Sequence, residues 1–276
     1  MKLTLAIVFL SMNVFAQGPY APVADSIGTT AIHKDSSAFI DWASACIVER
    51  GWKNITDTTL GKTSTGDIYS ATEKSGINGV VSLGDGGSAI LTFSSPIING
   101  NGPDFAVFEN AFNNTFLELA HVEVSSDGFN YFRFESSSLS QINSQIMNEV
   151  NATDIRNLAG KYRAQYGTPF DLEEMVGITN LNVNSITHVK IIDAIGSINQ
   201  SYASYDSQGN MINDPFPTPF ETGGFDLDAI GVIHSFVGIE ESLNTFKVFP
   251  NPAKEKATII FDNLSDKTIQ LIDLNG

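Results

Sequence analysis

The feature that most constrains this chain is a series of short β-type runs, each closed by glycine, asparagine or aspartate. The runs are Val80–Leu83, Ala89–Phe93, Phe105–Phe108, Val122–Ser125, Tyr131–Phe134, Thr187–Ile192 and Leu227–Ile233. Stretches of this length, rich in β-branched and aromatic residues and bounded by turn formers, read as strands. Gly84-Asp85-Gly86-Gly87 separates the first two runs, and Asp127-Gly128 separates Val122–Ser125 from Tyr131–Phe134. Both read as hairpin loops, because these residues accept positive φ. Many short strands between such turns predict a mainly β protein, a jelly-roll-like β-sandwich over 20–238.

A few peripheral helices are expected around it. Phe39, Trp42, Ala43, Cys46 and Ile47 follow helical spacing, which predicts a helix near Ser36 to Glu49. Ile142, Ile146, Met147, Val150, Ile155 and Leu158 predict helices laid over one edge of the sandwich. Asp154 would cap a short one through 157–161, and Asp171–Met175 would form a further turn.

Composition narrows the function. Of 276 residues, 15 are Lys or Arg and 31 are Asp or Glu, a net charge of −16 that repels phosphate backbones and argues against nucleic-acid binding. The single cysteine, Cys46, excludes an internal disulfide framework and a Cys-based zinc site, and its apolar neighbours predict a buried thiol. His33, His121, His188 and His234 form no HxxxH or HxH pair, so a zinc triad is not expected. No Gly-x-Ser-x-Gly nucleophile elbow is present.

Lys2 precedes an apolar stretch from Leu3 to Phe15, with Val14 and Ala16 at −3 and −1 of a cut before Gln17. This pattern predicts a signal peptide over 1–16, cleaved between Ala16 and Gln17. The stretch is shorter than the roughly 20 residues a bilayer needs, and no other segment is apolar enough to span. The mature chain is therefore expected outside the cytoplasm, with no transmembrane segment. A boundary falls near Gly238–Asn244, and 245–276 alternates again in a stretch too short to bury a core alone. It stops at Leu274-Asn275-Gly276, in what reads as a hairpin turn, so the chain is expected to be a fragment lacking its terminal strands.

That tail carries Val248-Phe249-Pro250-Asn251-Pro252-Ala253, then strands and a Leu-x-Asp-x-x-Gly turn from Leu271 to Gly276. It resembles the type A sorting domain of the type IX secretion system of Bacteroidetes, here truncated. The resemblance implies a small Ig-like β-sandwich, the type IX machinery as partner, and delivery of the chain to the medium or the outer-membrane surface. The middle carries Ser82-Leu83-Gly84-Asp85-Gly86-Gly87, Gly102-Pro103-Asp104-Phe105-Ala106-Val107-Phe108-Glu109-Asn110 and Gly223-Gly224-Phe225-Asp226-Leu227-Asp228-Ala229-Ile230. It resembles a family of uncharacterised bacterial cell-surface proteins. The Val122-Glu123-Val124-Ser125-Ser126-Asp127-Gly128 hairpin is also similar to galactose-binding-like jelly rolls.

Acids are the main chemical candidates. Asp104 and Glu109 bracket one strand, and Asp226 and Asp228, two apart in a strand, share a face, leaving Phe225, Leu227 and Ala229 to the core. Packed carboxylates repel unless a proton or cation joins them, and calcium takes six to eight oxygens. Asp104, Glu109, Asp226 and Asp228 are thus the expected ligands of a structural Ca2+, against the competing reading that each caps a turn. Asp206–Asp214 is a second oxygen-rich loop that reads more simply as a polar β-turn. Paired acids also admit glycoside hydrolysis, with Glu109 and Asp228 as the pair. Phe216-Pro217-Thr218-Pro219-Phe220, with Tyr205 nearby, offers rings that stack on a flat ligand or seal the end of the sandwich. The function expected is a secreted or surface, non-catalytic module binding a glycan or small nutrient. The alternatives are an extracellular polysaccharide hydrolase and an adhesion or structural protein.

Overall fold

A computed structural model describes residues 18–147, 149–236, 246–249 and 258–261. The predicted cleavage site at Ala16 and Gln17 and the Pro250-Asn251-Pro252 element lie outside these residues. Two compact units divide the chain, the first ending at Phe236. In chain order its strands are β1 (Ile32–His33), β2 (Asp41–Trp42), β3 (Ala45–Glu49), β4 (Val81–Ser82), β5 (Ser88–Ile97) and β6 (Phe105–Glu109). They continue as β7 (Ala120–Ser125), β8 (Phe132–Arg133), β9 (Ser137–Ser138), β10 (Ile155–Arg156), β11 (Tyr166–Phe170), β12 (Ile186–Asp193) and β13 (Asp226–Val232). In the second unit β14 (Phe246–Phe249) pairs antiparallel with β15 (Thr258–Phe261). No helix among the described residues is long and apolar enough to cross a membrane.

The first unit is a β-sandwich of antiparallel sheets. One sheet runs β1-β11-β6-β13-β2, with β4 also paired to β13, and the other runs β3-β5-β12-β7-β8. Alternation explains the core between them. Ala89 and Leu91 of β5, Val122 and Val124 of β7, and Val189 and Ile191 of β12 meet Phe105 and Val107 of β6 and Leu227 of β13. Phe105, Phe134 and Phe170 form an aromatic knot, with the first and last stacked at 5.3 Å. A second core, with Leu117, Leu119, Val150, Ile155, Leu158 and Ile212, lies under the long connections.

The seven predicted strands are all present, but three local expectations fail for physical reasons. Gly84–Gly87 is no hairpin: β4 and β5 belong to different sheets, so this turn carries the chain across the sandwich. The predicted helix near Ser36–Glu49 is replaced by β2 and β3. Cys46 pairs with Leu91 and is buried while Ile47 faces solvent, the alternation of a strand. The segment 140–158 forms a single 3-10 turn at Ala152–Asp154 and the short β10. Its amides bind locally instead: Gln141 Oε1 accepts from the N–H of Asn143 and Ser144, and Asn151 Oδ1 from Thr153 N–H. Positive φ at Asn157 and Gly160 rules out the short helix through 157–161, whereas Leu172–Met175 does form a 3-10 turn.

The fourth difference bears on the site. The pairing of β13 with β6 steps from Leu227↔Glu109 to Ala229↔Phe108, so β13 bulges at Asp228. One extra residue reverses the parity beyond it. Leu227 faces the main core, and after the bulge Ile230 and Val232 do, while Ala229 turns to the outer face with Phe108 and Trp42. The regular alternation expected for Asp226 and Asp228 is therefore broken.

Candidate acid-lined cavity

Where β6 ends and β13 begins, a cavity of about 250 Å³ opens, lined by Glu109, Asn110, Glu118, Thr218, Thr222 and Asp226, with Phe112, Phe116 and Phe220. The register places two of its acids together. Glu109 ends β6 opposite Leu227, next to Asp226. Glu109 Oε2 accepts from the N–H of Ala111 at 2.8 Å, and Asp226 Oδ1 from the hydroxyl of Ser82. The Asn110 amide, oriented to satisfy its neighbours, donates to Glu109 Oε1 at 3.2 Å and to Asp226 Oδ2 at 3.3 Å.

Glu118 arrives from a different segment and is held by its neighbours in the chain. Leu119 N–H donates to Asp214 Oδ2 at 2.8 Å, and Leu119 O accepts from Ala194 N–H at 2.9 Å. Ala120 exchanges both backbone hydrogen bonds with Ala159. Gly160, at φ +80°, lies so close that a Cβ there would stand 1.8 Å from the carbonyl oxygen of Glu118. Leu117 and Leu119 are fully buried in the second core, and the intervening Glu118 side chain lines the cavity. Glu118 is 6% exposed, and among the described residues its carboxyl group has no hydrogen-bond partner.

The electrostatics follow from burial. Desolvation, then the charges of Asp226 and Asp228, pushes Glu109 well above the usual carboxylate range. Desolvation, then Glu109, Asp226, Asp214 and Asp193, does the same to Glu118. Burial raises Asp226 to about 6, opposed by the Ser82 hydroxyl and the Arg50 charge. The three acids are therefore poised to hold protons that solvent-exposed carboxylates would have lost.

Of the four acids expected to bind calcium, this geometry brings together Glu109 and Asp226. Asp104 lies at the other end of β6, fully buried, and accepts from Gly100 N–H, Leu172 N–H and His234 Nδ1, each at 2.7 Å. It is a loop staple. Asp228, at the bulge, takes the Ser75 hydroxyl at 2.5 Å and Gly76 N–H at 2.9 Å, and does not line the cavity. Among the described residues no three His, Cys, Asp or Glu side chains are placed to hold a metal ion. Of the expected Glu109–Asp228 hydrolase pair, Glu109 lines the cavity and Asp228 does not, although the charge of Asp228 reaches Glu109.

The three expected aromatic contacts also separate. Phe220 is 61% exposed and stands at the cavity. Its loop is pinned by Gly223 N–H on Phe220 O at 3.1 Å and by Glu221, which pairs with Lys53 and the Ser64 hydroxyl. Phe216 is buried, and Tyr205 lines a separate open groove with Leu139, Ile142 and Met211. Asp206 Oδ1 accepts from Gln208 and Asn210 N–H, and Oδ2 from Ser138 N–H, which makes its loop the polar turn expected. Glu118, Phe112 and Phe116 were not singled out from the sequence. The available signal was a lone acid inside the apolar alternation Leu117-Glu118-Leu119. No protein family, curated protein or solved structure matches this chain.

Proposed function

We propose that this protein is a non-catalytic sugar-binding module that works outside the cell and takes one sugar unit of a glycan in the cavity between Glu109, Glu118 and Asp226. Glu118 carries the reading: a carboxyl group that is 6% exposed, has no hydrogen-bond partner among the described residues, and opens to a cavity rimmed by phenylalanine rings. The fold gives this group no donor of its own, so water in the cavity is its partner until a ligand hydroxyl takes that place. A protonated carboxyl both donates and accepts, which matches sugar hydroxyls. Phe112 and Phe220 offer exposed flat faces to the C–H side of a pyranose. The volume lies just under the ~300–1,000 Å³ of drug-sized ligand sites, which suits a single unit of a chain whose remainder stays in solvent. Export through the signal over 1–16 and sorting of the tail by the type IX machinery are part of this reading, as is placement at the outer surface or in the medium. Calcium is a competitor for the same carboxyls.

Titration calorimetry of the full chain against a panel of oligosaccharides tests it. Binding of at least one, weakened tenfold or more by Phe220→Ala, is the expected result. Absence of binding across the panel, or undiminished affinity in that variant, refutes it. Hydrolysis of an extracellular polysaccharide is the second reading, favoured by one observation. Burial and the surrounding acids keep Glu118 protonated, the state a general acid needs, beside Glu109 and Asp226. Release of reducing ends by the wild-type chain, abolished by Glu118→Gln, would select it.

A further inference from the structure

The polar wall of the cavity is one-sided. Glu109, Glu118 and Asp226 line it, and among the described residues no Lys, Arg or His does. Arg50, whose charge reaches Asp226, directs its guanidinium at the carbonyl oxygens of Thr65, Ser82 and Gly66, at 2.7, 2.5 and 2.6 Å. The Asn110 amide is already engaged by Glu109 and Asp226, which leaves the Thr218 and Thr222 hydroxyls and the carboxyls themselves to meet a ligand. Such a wall carries no fixed positive charge, and any of its carboxyls that releases its proton becomes a negatively charged acceptor.

We propose that the sugar unit selected here carries a primary amino group, a hexosamine in its ammonium form. The inference rests on the sugar-binding reading and specifies it. An ammonium group brings three donors and no acceptor, and Glu118 has no other partner. A hydroxyl in its place brings one donor and no charge. An acetamido group is bulkier, uncharged, and brings one N–H donor in place of three. The rim adds a second attraction. The rings of Phe112 and Phe116 stand 5.0 Å apart, tilted by 36°, and Phe220 is exposed beside the same cavity. A cation over such faces gains ~0.5–2 kcal/mol that a neutral group does not.

Protons accompany the ligand. In the free cavity, desolvation and the facing acids Glu109, Asp226, Asp214 and Asp193 hold the Glu118 carboxyl in its neutral form. When the ammonium docks, the O–H bond of that carboxyl breaks and the proton leaves to solvent. A carboxylate–ammonium pair remains, and no covalent bond to the sugar changes.

The test uses three tetramers with the same β-1,4 backbone, differing only at position 2: amino, acetamido and hydroxyl. Calorimetry of the full chain is run where the amine is protonated, in buffers of different ionisation enthalpy, with CaCl2 alone as a further titrant. The amino tetramer should bind at least tenfold tighter than the other two and release protons, and Glu118→Gln should collapse the amino-to-hydroxyl affinity ratio toward one. Should that variant not fold, proton release by the wild-type chain still decides. Equal or tighter binding of the hydroxyl or acetamido tetramer overturns the amino preference and leaves sugar binding standing. Failure of every tetramer overturns the amino preference, and failure of the whole oligosaccharide panel overturns sugar binding as well. Calcium binding that blocks the sugars identifies a metal site and overturns the proposal.

Discussion

Asp226→Asn isolates the cost of keeping acids in the cavity. Burial raises the Asp226 carboxyl from 3.8 to about 6, so between these pH values the folded chain still holds a proton that the unfolded chain has released. Stability contributed by the neutral group is complete below the unfolded value of 3.8 and is lost as pH rises to about 6. At ~1.4 kcal/mol for each tenfold difference in proton affinity, the loss reaches about 3 kcal/mol at neutral pH. The amide never ionises, so the variant escapes it. Its carbonyl can still accept from the Ser82 hydroxyl. The Asn110 amide, which donates to Asp226 and Glu109, can turn over to accept from the introduced amide and from the protonated Glu109. That rearrangement costs about one hydrogen bond, ~1 kcal/mol. The variant should therefore be slightly less stable than wild type below about pH 4, and about 2 kcal/mol more stable above about pH 6. Urea unfolding followed by tryptophan fluorescence measures this cleanly, because both tryptophans, Trp42 and Trp52, belong to the first unit. A stability difference that stays flat across this range, or a variant that is weaker at neutral pH, would refute the reasoning.

Asp104→Asn should behave in the opposite way. It replaces an acceptor for three donors by a group that turns an NH2 toward at least one of them, so it should lose about 2–3 kcal/mol in urea unfolding at neutral pH. Affinity for any cavity ligand should be unchanged, and a matching loss of binding would join Asp104 to the site. Burial pushes the Cys46 thiol up to about 12, so a thiol-specific disulfide reagent at about pH 8 should leave the native chain unlabelled and react only as urea unfolds it. Rapid stoichiometric labelling in buffer would contradict the placement of Cys46 on the inward face of β3.

The strands were legible because their signal is local: β-branched residues and turn formers at fixed spacing. What was not legible depends on pairing between distant segments. Gly84–Gly87 looks like a hairpin until β4 pairs with β13 and β5 with β12, an arrangement no window of ten residues contains. Phe39, Trp42, Ala43, Cys46 and Ile47 fit a helix by spacing, yet β5 offers Cys46 a partner in Leu91, while Phe39 and Trp42 pack on Phe108 from the outer face. The site divides along the same line. Glu109, Asp226 and Phe220 stand in segments whose pattern drew attention to them. Glu118 is brought in by Ala120–Ala159 pairing and by Asp214, each remote in sequence. Asp228 was misjudged because a single inserted residue in β13 breaks the alternation on which the two-apart rule depends.

In a chain with 31 acids, acidity alone marks nothing, and burial alone marks little more. The discriminating quantity is how many donors the fold supplies to each buried carboxyl. Asp104 has three, Asp193 has Gly86 N–H and Phe225 N–H, and Asp228 has Ser75 and Gly76. Removing any of these acids strands backbone donors, so their role is internal to the fold. Among the described residues Glu118 has none, and removing it strands no donor there. Its partner is whatever fills the cavity, water or a ligand, so its role points outward from the fold. The same comparison explains why the cavity formed by Glu109, Glu118 and Asp226, rather than the larger set of acids read from the sequence, is where a ligand gains the most. It also requires Glu118→Gln to cost little stability while weakening ligand binding, a combination that none of the acids with backbone donors should reproduce.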